Sequence, residues 1–164
     1  MNNFITLTVL VIIALILALV YENSACAGVL PDVPGVINPN VTQANIKQTI
    51  CVAGWTSTIR PSVIITNKIK RALMHKNGLD GQDPHKWELD HDISLELGGH
   101  PSDLDNLWLQ SWTGSCNAHQ KDVVETKLKT LVCKNTITLV EAQSAITTDW
   151  ITAYSKYVNP KGCQ

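Results

Sequence analysis

The chain has 164 residues, with 13 Lys and Arg against 14 Asp and Glu, and a formal net charge of −1. This balance excludes a protein that binds nucleic acid through a strongly basic overall charge, so any affinity for DNA or RNA must come from a local patch. The length suits one domain with a hydrophobic core and does not comfortably hold two.

Residues 1–27 are predicted to be an export signal. They contain no Lys or Arg and one acid, Glu22, and residues 5–21 are apolar apart from two threonines. The Ala-Cys-Ala sequence at residues 25–27 predicts cleavage after Ala27. We therefore expect a secreted or periplasmic protein. The alternative is an uncleaved leader whose residues 5–21 anchor the chain in a membrane.

Cleavage would leave four cysteines: Cys51, Cys116, Cys133 and Cys163. An even number of cysteines in an exported chain predicts two disulfides, for which three sets of pairings exist. We favour Cys51–Cys133 with Cys116–Cys163, since the other pairings give no better account of the two C-terminal helices, but the sequence leaves all three open. No Cys-x-x-Cys pair occurs, which disfavours a cysteine-rich zinc site.

The N-terminal half of the mature chain is predicted to begin with a linker. Residues 28–40 carry three prolines and two glycines, and the domain is expected over residues 41–164. We expect a short helix over Asn40–Gln48, a β-rich segment over Thr49–Arg60 and a helix over Val63–Lys76. The apolar stripe of that last helix is formed by Ile65, Ile69 and Leu73.

The C-terminal half is predicted to hold a β-hairpin and two helices. Lys86–Ile93 and Asn106–Gln110 are typical of strands and would pair across a long loop. One helix is expected over Asn117–Lys134, and a second follows the capping box at Thr138 and ends at Asn159-Pro160. Four tryptophans are expected to form a small core under the hairpin and not a surface for base stacking: Trp55, Trp87, Trp108 and Trp112.

Basic residues concentrate over residues 60–86, in a chain that is otherwise balanced in charge. The residues expected to contact nucleic acid are Arg60, Lys68, Arg71 and Lys86. The competing interpretation is an ordinary solvated helix face, which the same residues fit equally well.

The predicted hairpin and the helix after it carry the residues best suited to chemistry. Asp90 precedes His91 near the end of the first strand, and Gly98-Gly99 opens the loop. A ββα-metal site has this order, since a hard divalent cation takes oxygen ligands and a neutral histidine can take a proton from water. Neighbouring strand residues face opposite sides, so Asp90 and His91 can share a site only if the strand ends or bends there.

Three segments resemble the HNH endonuclease superfamily: Asp90-His91-x-Ile93-x-Leu95-x-Leu97-Gly98-Gly99, Asn106-Leu107-Trp108 and Asn117-Ala118-His119-x-Lys121-Asp122. Four more resemble a group of small exported bacterial proteins with HNH-type domains: residues 49–56, Arg60-Pro61, Leu131-Val132-Cys133 and Asp149-Trp150. The resemblance covers roughly Asn38 to Val158.

The resemblance implies a role for each matching residue. His91 would be the general base that activates water, and Asn106 would brace the loop and orient that base. Asp90 would bind the metal together with a residue of the helix, for which His119 is the first choice and Asn117 the substitute. The implied cofactor is a divalent metal ion, Mg²⁺ before Mn²⁺ or Zn²⁺, with no small-molecule cofactor. The implied substrate is nucleic acid, DNA before RNA, cut to a 5′-phosphate and a 3′-hydroxyl.

The sequence thus predicts an α+β domain with a ββα-metal core of HNH type, flanked by helices and stabilised by disulfides. The leading function is an exported, divalent-metal-dependent endonuclease. A catalytically inactive exported module that binds metal or nucleic acid is the second hypothesis, and a disulfide-stabilised structural protein without metal is the third.

Overall fold

The structure, a computed structural model, describes residues 30–163. The predicted leader and its cleavage site lie outside this range, as do residues 28, 29 and 164. Within it the chain is α+β, as predicted, with α1 at Trp55–Ile59, α2 at Val63–Lys76, β1 at Trp87–His91, β2 at Leu107–Ser111, α3 at Ala118–Cys133 and α4 at Leu139–Tyr157. In this part of the chain, no helix combines the length and apolar character needed to cross a membrane.

The predicted hairpin is confirmed. Strands β1 and β2 pair antiparallel, with Trp87 opposite Ser111 and His91 opposite Leu107. Side chains alternate between the two faces of a strand, so Trp87, Leu89 and His91 share one face of β1. These three line a cavity together with residues of α2. The opposite face of β1 meets α3, where Asp90 contacts a lysine.

The hydrophobic core lies between α3 and α4. Each helix contributes a stripe at i, i+4 and i+8 spacing, which places the apolar side chains on one face. The fully buried members are Val124, Leu128 and Val132 of α3 and Ala142, Ile146 and Trp150 of α4, with Ile50 and Leu97 from the preceding segments. The apolar stripes of the two helices therefore face each other across one shared core.

Helix α4 begins at the predicted capping box. The Thr138 hydroxyl accepts from the Glu141 amide at 3.1 Å, and the Thr138 amide donates to the Glu141 carboxylate at 2.7 Å. The helix is interrupted at Asp149, whose φ of −167° and ψ of 95° are not helical. The Asp149 carboxylate then accepts from the amides of Ile151 and Thr152 at 2.9 and 3.0 Å, so it caps the second part of the helix.

The segment before α2 departs from the predictions. Instead of a helix over Asn40–Gln48, a short 3-10 turn forms at Gln43–Asn45, and instead of β structure over Thr49–Arg60 the chain makes turns and then α1. Burial decided this outcome, because Ile46 and Ile50 pack into the core between α3 and α4. Local β propensity is a weak preference that such packing overrides.

Part of the stretch predicted as a linker is bound to the domain. The amide of Gly35 donates to the carbonyl of Asp105 at 2.9 Å, and that of Asn38 donates to Gly98 at 2.8 Å. Ile37 also forms an antiparallel bridge with Gly99. Residues 35–38 therefore form one wall of the loop that follows β1.

Helix α2 has the predicted bounds but a weaker apolar stripe than expected. Ile69 and Leu73 are half-buried, Ile65 is exposed, and Met74 is the buried residue of the helix. The helix packs on the hairpin and not on the core between α3 and α4. It therefore covers one face of the sheet and leaves a cavity beside it.

Two disulfides hold the ends of α3, with the pairings we favoured. Cys51–Cys133 joins the end of α3 to the segment before α1, and Cys116–Cys163 joins its start to the C-terminal tail. Helix α3 is thus linked covalently to both ends of the domain.

We expect the Cys51→Ser/Cys133→Ser variant to lose about 2–5 kcal/mol of unfolding free energy, because the cross-link restricts the unfolded chain. The separations of 82 and 47 residues make this loss about 0.5 kcal/mol larger than that of Cys116→Ser/Cys163→Ser in the chain-entropy model. Urea unfolding of both variants measures the two losses. A larger loss for the shorter loop would contradict the expected order.

Candidate functional site

A small polar cleft of about 50 Å³ lies where β1 ends. Asp90 and His91 both border it, and β1 ends at His91. The condition for these neighbours to share a site is therefore met. The remaining lining residues come from the end of α1, from β1, from the loop after it and from α3: Arg60, Glu88, Leu89, Ser94, Leu95, Glu96, Asp122 and Glu125.

His91 is held in one orientation and is 7% exposed. Its Nε2 lies 3.1 Å from the carbonyl oxygen of Pro101. Because a carbonyl only accepts, Nε2 carries the proton and the lone pair of the neutral ring is on Nδ1. Burial lowers the pKa of His91 below its usual 6.5, against the opposing effects of the Pro101 carbonyl and Asp90. The ring is therefore neutral at ordinary pH and able to take a proton at Nδ1.

Asn106 connects the two ends of the loop that follows β1. The side chain is fully buried, and its oxygen accepts from the amides of Ile93 at 2.9 Å and Val36 at 3.2 Å. Its nitrogen donates to the carbonyls of Ile93 at 3.1 Å and His100 at 2.9 Å. One side chain thus ties the start of the loop, its end and the N-terminal segment together, and it fixes the chain that leads to Pro101.

The Gly-Gly pair in this loop is required by close packing. A Cβ on Gly99 would lie 1.7 Å from the carbonyl oxygen of Ile93, where no side chain fits. Gly98 has a φ of +75°, a conformation that glycine adopts without strain. The sequence signal that marked the loop therefore reflects a backbone constraint at the site.

Asp90 is engaged by a residue to which the sequence assigned no role, Lys121 of α3. The Lys121 ammonium lies 2.8 Å from Asp90 Oδ2 and 2.6 Å from Glu125 Oε1, and it donates to the backbone carbonyl of His91 at 2.7 Å. The other Asp90 oxygen accepts from the His91 amide at 2.7 Å. The side chain of Lys121 is completely buried. The i, i+4 spacing of Lys121 and Glu125 was the available sequence signal.

Burial raises the pKa values of Glu88, Glu125 and Asp122, whose carboxyl groups interact electrostatically with this ammonium. Burial and the charge of Asp90 raise the pKa of Glu88 to about 8. Burial also raises the pKa of Glu125 to about 7, and it raises that of Asp122. For Lys121, burial lowers the pKa, but Asp90 and Glu125 outweigh it and the pKa is raised, so the group stays an ammonium.

The structure does not bring the predicted metal ligands together. His119 is exposed and its ring packs on Trp112 at 4.6 Å between centroids. The side-chain nitrogen of Asn117 donates to the Gly114 carbonyl at 2.9 Å, at the start of α3. Across residues 30–163, no three His, Cys, Asp or Glu side chains are arranged to hold a metal ion. In this arrangement the Asp90 carboxylate is paired with the Lys121 ammonium, and His119 and Asn117 make other contacts.

The four basic residues predicted to contact nucleic acid are spread over the surface. Arg60 borders the cleft beside His91. Lys68 borders a larger, mostly apolar cavity of about 810 Å³ between α2 and the hairpin, which His91 does not line. Arg71 is exposed on α2 and Lys86 is exposed just before β1. Only Arg60 of this set is thus placed next to the candidate base.

No family model matches the chain, and no significant match was found among curated proteins or among solved structures.

We expect Lys121→Met to lower the free energy of unfolding by about 3–5 kcal/mol, because it leaves Asp90 and Glu125 buried without a counter-ion. Urea unfolding followed by circular dichroism measures the change. Lys127→Met is the matched control on the exposed face of α3, with an expected change within about 0.5 kcal/mol. Adding Glu125→Gln to Lys121→Met should recover part of the loss. Equal effects at Lys121 and Lys127 would show that the buried ion pairs do not stabilise the fold.

The raised pKa of Glu88 predicts a pH-dependent stability. The folded state favours the protonated carboxyl group of Glu88. The stabilisation that this group gives the folded state is therefore complete below pH 4.5 and is lost as the pH rises through about 8. Glu88→Gln, which stays neutral, should therefore gain stability relative to the parent as the pH rises over this range. Urea unfolding at the two ends of the range tests this.

Glu141→Gln serves as the control of opposite sign. Hydrogen bonds from Thr138 lower the pKa of Glu141, so its stabilising effect is present above pH 4.5 and is lost as the pH falls. The stability of Glu141→Gln relative to the parent should decrease with rising pH. The same direction of change in both variants would contradict the assignment of the Glu88 effect to burial.

Proposed function

We propose that the protein is an exported endonuclease of HNH type that hydrolyses phosphodiester bonds of nucleic acid, with DNA preferred to RNA as the resemblance implies. The observation that supports this best is the state of His91. It is neutral and buried, Pro101 accepts its Nε2–H, the lone pair of the ring is on Nδ1, and Arg60 lines the same cleft. A general base at ordinary pH requires this combination.

In the proposed reaction, His91 Nδ1 takes a proton from a water molecule as the water oxygen bonds to phosphorus. The bond from phosphorus to the 3′ oxygen breaks, and the 3′ oxygen takes a proton from solvent. The products are a 5′-phosphate and a 3′-hydroxyl. Arg60 lines the same cleft, and its guanidinium suits the negative charge of the phosphate.

The divalent ion implied by the resemblance, Mg²⁺ or else Mn²⁺ or Zn²⁺, stays a prediction. Because Lys121 occupies Asp90 and the predicted helix ligands lie elsewhere, no step is assigned to that ion. The two disulfides are compatible with an extracellular or periplasmic location, where such bonds persist. Whether the leader is cleaved or anchors the protein also stays a prediction.

One observation favours a second candidate, a module that binds nucleic acid without cleaving it. Both oxygens of Asp90 are already engaged, by the Lys121 ammonium and by the His91 amide. With Asp90 engaged in this way, the protein would still bind nucleic acid on its surface but would not cleave it. Cleavage and binding measured on the same protein separate the two candidates.

We expect the purified protein to nick supercoiled plasmid, and His91→Ala to reduce the rate by roughly 10²- to 10⁴-fold, because it removes the base. The assay is run with Mg²⁺, Mn²⁺, Zn²⁺ and EDTA in parallel. His85→Ala, an exposed histidine outside the cleft, is the matched control and should cleave like the parent. The rate should fall at low pH with a midpoint below 6.5, since the pKa of His91 is lowered.

If the parent nicks plasmid no faster than His91→Ala under all four conditions, the endonuclease proposal is wrong. If nucleic acid nevertheless bound to both proteins, the binding module would be the better assignment.

A further inference from the structure

A second cavity, of about 300 Å³, adjoins the candidate base on the other face of β1. It lies between α2 and the hairpin, and His91 and Pro101 line it at one end. Trp87 and Trp112 line it as well, together with the cationic side chains of Arg60 and Lys70. Arg60 and His91 border both this cavity and the polar cleft, so the two spaces are neighbours.

The two tryptophans of this cavity are not core residues. Trp108 is buried, whereas the prediction of a buried core position was wrong for Trp87 and Trp112, which are half-buried. Both rings are restrained: Trp87 Nε1 donates to the Gln82 side chain at 3.2 Å, and the Trp112 ring packs on the His119 ring at 4.6 Å between centroids. Restrained, accessible aromatic rings are the surfaces on which proteins stack unpaired bases.

The size and charge of the cavity limit the kind of ligand that it can bind. A volume of about 300 Å³ is at the lower end of known ligand pockets, which suits one nucleotide and not a duplex. Two cations, Arg60 and Lys70, line it against one carboxyl group, Glu88, so an anionic ligand is favoured. A base that is paired and stacked in a duplex cannot enter such a pocket without first leaving the stack.

We propose that this cavity binds one unpaired nucleotide next to the scissile phosphate, so that the protein prefers single-stranded or locally melted nucleic acid. The base stacks on Trp87 and Trp112, and its phosphate is directed towards Arg60 and His91. The inference rests on the proposed nuclease function and adds the strand preference to it.

The test uses the full chain carrying His91→Ala, which leaves the probes intact. Fluorescein-labelled single strands and blunt duplexes of the same sequence, as DNA and as RNA, are titrated and followed by anisotropy at one salt concentration. Trp87→Leu and Trp112→Leu, made in this background, remove the aromatic rings and keep apolar side chains. Trp87→Phe and Trp112→Phe keep a ring and serve as matched conservative variants.

We expect the single strand to bind more tightly than the duplex. Each Leu variant should weaken single-strand binding by roughly 5- to 150-fold, the range for the loss of one stacked base, while Phe restores most of it. Lys70→Gln tests the cavity wall without changing an aromatic residue. It should reduce the slope of log affinity against log salt concentration by about one, the effect of losing one phosphate contact. Lys127→Gln on α3 is its control. Melting curves show whether each variant is folded.

The experiment distinguishes failure of the nucleotide pocket from failure of the nuclease proposal. Equal affinity for strand and duplex, or Leu and Lys70→Gln variants that bind the single strand like their parent, would overturn the nucleotide pocket. The nuclease proposal would then stand if plasmid is nicked in a His91-dependent way. Absence of binding to all four probes together with absence of nicking would overturn both.

Discussion

The buried ammonium of Lys121 is the interaction on which the rest of the site depends. It joins α3 to the end of β1 through the Asp90 carboxylate and the His91 carbonyl, and it is completely enclosed. A buried cation is tolerated only when it is paired, so the position of α3 and the path of the chain at His91 are set together. The chain thereby places its own positive charge where the resemblance to HNH nucleases implies a divalent ion.

Burial also determines how charged the site is. His91 and Glu88 line the same cleft, and burial moves the pKa of the histidine down and that of the carboxyl up. Both shifts favour the neutral form, because a charge is poorly solvated there. The cleft is therefore less charged near neutral pH than its acidic sequence indicates, and a neutral base lies beside a protonated carboxyl.

Sequence patterns predicted those parts of the fold that depend on interactions between residues close together in the chain. The hairpin, α2, α3 and the capping box of α4 lie where periodicity and capping placed them, because neighbouring residues supply the interactions that form them. The prediction for residues 40–60 was wrong, because contacts of Ile46 and Ile50 with distant helices decide the conformation of this segment. The disulfide pairing was one choice of three until the ends of α3 were placed beside Cys51 and Cys163.

The sequence by itself determined the α+β class, the order of elements from residue 63 onward and the grouping of His91, Asn106 and the Gly-Gly loop, since these depend on residues close together in the chain. Only the tertiary structure decided which helix residue meets Asp90, and it is Lys121 and not His119 or Asn117. It also decided that Trp87 and Trp112 line a cavity beside His91. The reason is geometric: which face of a helix or strand meets a distant partner depends on packing across the whole domain.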